Sequence, residues 1–131
     1  MLEPEWIEAE SILRAHASQL AEHGGQEGLR DPGMFESAMN RPRNLWAYSN
    51  PKPDAVALAA AYAFGLAKNH PFIDGNKRTV AVACEGFLNS QSIVLVAGDD
   101  EWYDAVYALA AGETTEEAFA DWLRQHTKPI A

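Results

Sequence analysis

The chain has 131 residues, 47% of them apolar and 22% charged, enough for one domain with a real core and too apolar for wholesale disorder. Its formal net charge of −9 argues against non-specific nucleic-acid binding, which depends on clustered positive charge, and suits a basic partner segment or a solvated surface. Cys84 is the only cysteine, which excludes an internal disulfide and a multi-cysteine zinc site.

The N-terminus, Met1-Leu-Glu-Pro-Glu5, has neither a basic start nor an apolar core, so no signal peptide is expected and a cytoplasmic location is the default. From Pro4 to about His23, the residues Trp6, Ile7, Ile12, Leu13, Ala17 and Leu20 fall near a helical period, and Gly24-Gly25 closes the run. Gln26 to Arg30 is a turn. Asp31-Pro32 then supplies an N-cap followed by proline at the first helical position, leading a short helix through Phe35, Ala38 and Met39. Asn40 to Pro53 contains three prolines and no sustained period, and reads as an extended loop. Its Arg41, Arg43, Trp46, Tyr48 and Lys52 make it either a proline-stiffened connection or a basic, aromatic flap for docking a target.

Pro53-Asp54 opens an apolar helix to about Asn69, apolar nearly all round as befits the buried centre of an all-α domain. The stretch Ala55–Ala67 is too short and alanine-rich to span a bilayer. A helix starts near Gly75 and carries Val80, Ala83, Phe87 and Leu88, with Cys84 as a small buried hydrophobe rather than a reactive thiol. Ser92 to Val96 is β-branched, but one short run cannot build a sheet. Asp99-Asp100-Glu101 begins a helix through Trp102, Val106 and Leu109, and Thr114 or Thr115 caps the last one, which carries Phe119, Trp122 and Leu123. The expected architecture is all-α, a single compact bundle of about six helices spanning residues 1–131. His16, His23 and His126 lack partners at metal-ligand spacing and read as surface or capping residues.

Packing does not account for His70-Pro-Phe-Ile-Asp-Gly-Asn-Lys-Arg-Thr79. A histidine, a carboxylate, an amide, a glycine and two cations stand together between two helices. The first turn of a helix has unpaired N–H groups and the positive end of the macrodipole, so this junction can hold a phosphate. Lys77 and Arg78 add formal charge there, Asp74 can hold a divalent cation, and His70 can take a proton from an attacking hydroxyl. These are the parts of phosphoryl or nucleotidyl transfer.

His70-Pro-Phe-x-Asp-Gly-Asn-x-Arg78 resembles the active-site motif of the Fic family. Gly28–Gly33, Ala38–Arg43, Ala59–His70 and Phe119–Leu123 resemble its Doc ("death on curing") branch, so the likeness covers nearly the whole chain. Fic enzymes that transfer AMP have glycine where this chain has Lys77, and a second arginine where it has Ala81. A lysine fills space through which glycine lets backbone approach a phosphate, and losing the arginine removes a bidentate clamp. Both changes are those of the Doc branch, whose members resemble kinases that transfer the γ-phosphoryl of ATP. The resemblance implies His70 as general base, Asp74 as the residue that positions Mg²⁺ or the target hydroxyl, and Asn76 as a donor to phosphate. Lys77, Arg78 and the amides around Gly75 would neutralise charge on the transferred group, and Phe72 would anchor the loop. It also implies a Thr or Ser acceptor on a translation factor such as elongation factor Tu, and an antitoxin partner whose C-terminal segment covers the site. No direct nucleic-acid or membrane partner is expected. AMP transfer and a catalytically silent antitoxin-binding module are the rivals. The family's inhibitory Ser/Thr-x-x-x-Glu-Gly/Asn element is matched only in part by Ser18–Glu22, since His23 follows.

Overall fold

A computed structural model describes residues 1–130. Six helices form the body: α1 (Ala9–His23), α2 (Pro32–Tyr48), α3 (Ala55–Asn69), α4 (Asn76–Ser90), α5 (Asp99–Ala110) and α6 (Glu116–Gln125). The all-α bundle read from the sequence is the observed one. Helix α3 lies at its centre, packed against α2, α4, α5 and α6. Its small residues let these neighbours approach closely, while Leu58, Tyr62 and Leu66 fill the space between them and are all but inaccessible. Asp54 caps α3 through the Ala57 N–H at 2.8 Å, and Thr115 caps α6 through the Ala118 N–H at 3.1 Å.

Three expectations need correction. The first helix begins at Ala9, not Pro4. The preceding residues are not helical, and the Ile7 N–H donates to the Tyr62 hydroxyl at 3.0 Å, so Trp6 and Ile7 reach the core from outside the helix.

Residues 40–53 are mostly not a loop, because α2 runs through Pro42 to Tyr48. Pro42 costs the hydrogen bond to the Ala38 carbonyl. It nonetheless lies on the buried face made by Phe35, Ala38, Met39, Pro42 and Trp46, which is helical spacing if proline is counted as an apolar residue.

Ile93–Leu95 also does not stand alone. As β1 it pairs antiparallel with β2 (Thr127–Pro129), in the register Ile93↔Pro129, Val94↔Lys128 and Leu95↔Thr127. This ladder ties the segment after α6 back beside α4, and helices remain the body of the fold. No helix among the described residues is long and apolar enough to cross a membrane.

Candidate active site

The ten-residue motif sits where α3 ends and α4 begins. His70 is the C-cap of α3, in the left-handed region at φ 48° and ψ 56°, and its N–H bonds to the Leu66 carbonyl at 3.1 Å. Gly75, with φ 75° and ψ 18°, is the N-cap of α4, a conformation that glycine adopts without strain. Two left-handed residues five positions apart thus reverse the chain into a tight loop.

That loop is braced from several sides. Phe72 is 1% exposed and lies between the rings of His16 (centroids 3.8 Å apart, stacked) and Phe35 (5.6 Å). The segment read as a simple turn, Gln26–Arg30, is one of the braces. Leu29 pairs with Phe72 as an antiparallel bridge, the Arg30 N–H donates to the Pro71 carbonyl at 2.7 Å, and the Ile73 N–H donates to Gly28 at 3.1 Å. The Arg30 guanidinium donates to the His70 and Asn69 carbonyls, both at 2.8 Å, satisfying acceptors that the end of α3 would otherwise leave open.

All six residues singled out from the sequence (His70, Asp74, Gly75, Asn76, Lys77 and Arg78) line one open cavity of about 180 Å³, together with Ile73 and Tyr103. Their commitments differ. The His70 side chain is exposed and makes no hydrogen bond among the described residues, so both ring nitrogens are available. Asp74 is also exposed. Its Oδ1 accepts from the Gly75 N–H at 2.9 Å and its Oδ2 from the Gln26 N–H at 3.3 Å, leaving lone pairs on both oxygens.

Asn76 is buried and largely spent on the loop. Its Oδ1 accepts from the Phe72 N–H at 3.0 Å and its Nδ2 donates to the Phe72 carbonyl at 2.9 Å, which leaves one N–H for a ligand. Lys77 extends 5.0 Å above the Tyr107 ring. Arg78 is half-buried, and its Nη1 is fully enclosed with no acceptor among the described residues. An enclosed cationic donor without a partner is costly.

Two further residues belong to this region, His16, read from the sequence as a surface or capping residue, and Tyr103, which carries no signal there. His16 is not a surface residue: it is 5% exposed and bonds through Nε2 to the Asp74 carbonyl at 2.8 Å. Tyr103, exposed on α5, closes the rim of the cavity. By contrast Arg41 of the supposed flap is paired with Glu116 of α6 at 2.7 Å and lies over Phe64. Arg41 and Tyr48 border a different hollow of about 360 Å³, between α2 and α3. His126 caps α6, its Nδ1 lying 2.8 Å from the Trp122 carbonyl. Burial pushes the Cys84 thiol well above its ordinary range, so it remains a packed hydrophobe.

Among the described residues no three His, Cys, Asp or Glu side chains converge to hold a metal ion by themselves. Asp74 is the one carboxylate in the cavity, which fits a magnesium ion that takes its remaining ligands from phosphate oxygens and water.

The Fic/DOC family profile matches residues 6–88. The "Protein kinase doc" of Escherichia phage P1 is 31% identical over 119 residues, spanning 91% of this chain and 93% of that protein. The "Toxin Doc" of Mycolicibacterium smegmatis is 33% identical over 96 residues, 73% of this chain and 72% of that protein. With the motif folded into one cavity at a helix N-terminus, a family profile over residues 6–88 and a relative aligned over 91% of its length, the chain belongs to the Fic/Doc family.

Proposed function

We propose that this protein is a Doc-type toxin that acts as an ATP-dependent protein kinase, transferring the γ-phosphoryl group to a Thr or Ser hydroxyl. The observation that carries the reading is the single open cavity that brings the free His70 imidazole and the Asp74 carboxylate together with the cationic residues Lys77 and Arg78 at the N-terminus of α4. The relative named as a protein kinase supports the reaction class.

In this reading His70 accepts the proton of the target hydroxyl as that oxygen bonds to the γ-phosphorus of ATP and the bond to the β,γ-bridging oxygen breaks, releasing ADP. An imidazole nitrogen that carries no proton is the form able to accept one. Arg78, Lys77 and the first-turn amides of α4 neutralise the charge on the transferred group, while Asp74 holds Mg²⁺ or aligns the hydroxyl. ATP supplies the phosphoryl group, and Mg²⁺ neutralises its charge. Asn76 keeps the loop closed and offers its remaining N–H to a phosphate oxygen.

Two features favour γ-phosphoryl transfer over AMP transfer. The Lys77 side chain stands where a glycine would leave room for the phosphate chain, and Ala81, one turn on, gives α4 no second guanidinium. The target class is a translation factor, elongation factor Tu first among them. The partner is an antitoxin whose C-terminal segment covers the cavity, and the pair works in the cytoplasm. Residues 1–131 act as one Fic/Doc-like domain.

The test is the intact mass of purified elongation factor Tu after incubation with this protein, ATP and Mg²⁺, with His70→Ala in parallel. A phosphoryl-sized increment, reduced at least a hundredfold in rate by His70→Ala, is the expected result. An AMP-sized increment would move the protein to the adenylylating branch. Toxicity in cells that survives His70→Ala would leave a silent binding module.

A further inference from the structure

We infer that α1 is a clamp on Asp74, with His16 as the positioning residue that fixes the peptide plane between Asp74 and Gly75. The inference rests on the reading of Asp74 given above and adds a residue, 58 positions away in sequence, through which the site is held in shape.

The geometry is specific. A carbonyl oxygen only accepts, so the 2.8 Å contact between His16 Nε2 and the Asp74 carbonyl sets the tautomer: Nε2 carries the proton and donates. The same ring stacks on Phe72 at 3.8 Å with planes 11° apart, so one buried side chain grips the loop both two residues before Asp74 and at Asp74 itself. The turn that follows α1 completes the grip. The Gln26 N–H donates to Asp74 Oδ2 at 3.3 Å, and a Cβ added at Gly25 would come within 3.0 Å of that oxygen, so the backbone there passes directly against the carboxylate. Helix α1 and its end therefore fix Asp74 at its carbonyl and at its carboxylate.

Core packing alone does not call for an imidazole here. A phenylalanine would stack on Phe72 equally well, without the cost of burying a polar ring. What histidine adds is the donor, aimed at the one carbonyl whose rotation would swing the Asp74 carboxylate and the first amides of α4. Groups that orient a metal-binding carboxylate change affinity by about tenfold to a hundredfold when removed.

Three variants separate donor from packing. His16→Phe keeps the ring and loses the donor, His16→Gln keeps an amide donor close to the Nε2 position, and His16→Met matches glutamine in shape without a donor. The first measurement is amide hydrogen exchange at Gly75 and Asn76 in the free protein, which needs no substrate. The second is the Mg²⁺ dependence of phosphoryl transfer. His16→Phe and His16→Met are expected to raise exchange at these amides about tenfold, and to raise the apparent KM for Mg²⁺ by a similar factor with a smaller change in kcat. His16→Gln is expected to restore both. Unchanged exchange and unchanged Mg²⁺ dependence in the donorless variants would overturn the inference, as would His16→Gln behaving like His16→Met. If the wild-type protein transfers no phosphoryl group, the kinase reading fails alone, and the exchange measurement still decides the clamp.

Discussion

Arg78 bears a cost that the fold does not recover. Its enclosed Nη1 lacks an acceptor, and an unsatisfied buried donor costs about 1–3 kcal/mol. Replacing the side chain by one of similar length without polar atoms removes that cost. Arg78→Met is therefore expected to hold or raise the unfolding temperature while weakening ATP binding about tenfold to a hundredfold, the worth of a charge-assisted hydrogen bond or two. Calorimetric melting and an ATP titration on one sample check both halves. A variant that loses stability and binding together would make Arg78 a structural residue. The motif residues themselves were legible in the sequence, because so many reactive groups in ten positions have no packing explanation. Their division of labour was not. Asn76 turns back on Phe72, and His16 arrives from 58 residues away to meet Asp74. Such contacts depend on how helices pack, which residue type and local spacing do not encode.

At the scale of elements, the helices with clear caps and periods were readable, and the errors share one cause. Pro42 reads locally as a breaker, yet α2 continues through it because the buried face from Phe35 to Trp46 outweighs one lost hydrogen bond. β2 carried no strand signal of its own and exists as the partner of β1. In each case a tertiary contact overrides a local preference. The contact that matters most for α2 is with Gly65 of α3, where a Cβ would lie 3.2 Å from both the Ala38 Cα and the Ala38 carbonyl oxygen. These are backbone atoms and cannot swing aside. Alanine has the higher helix propensity by up to about 1 kcal/mol, but forcing two backbones apart costs about 1–3 kcal/mol. Gly65→Ala is thus expected to lower stability by about 1 kcal/mol in a chemical denaturation curve. A stabilised variant would mean that the α2–α3 crossing has slack.

Across the whole molecule, 19 acidic residues against 10 basic ones leave few charges to tie distant parts together. One tie joins the start of α3 to α6, where Arg124 bonds Asp54 at 3.1 Å and Asp121 at 2.9 Å. Partial burial by itself would push the Asp54 carboxyl up. The hydrogen bond from Arg124, that from the Ala57 amide and the guanidinium charge together outweigh it and hold the group below its ordinary value. A carboxyl lowered in the folded state stabilises the fold above its unfolded pKa, and that contribution disappears as pH falls through the folded value. Because both side chains are about half exposed, solvent screening limits the pair to roughly 0.5 kcal/mol. Asp54→Asn keeps an oxygen to cap Ala57 and removes only the charge, which isolates the pair from the cap. The variant is expected to be less stable than wild type by that small margin at pH 7, and the gap should close once the pH falls below the lowered Asp54 value. Denaturation curves at a series of pH values decide it. A gap that persists under acid would mean that the loss does not come from the Asp54 charge, and the link between α3 and α6 would then rest on their apolar contacts alone.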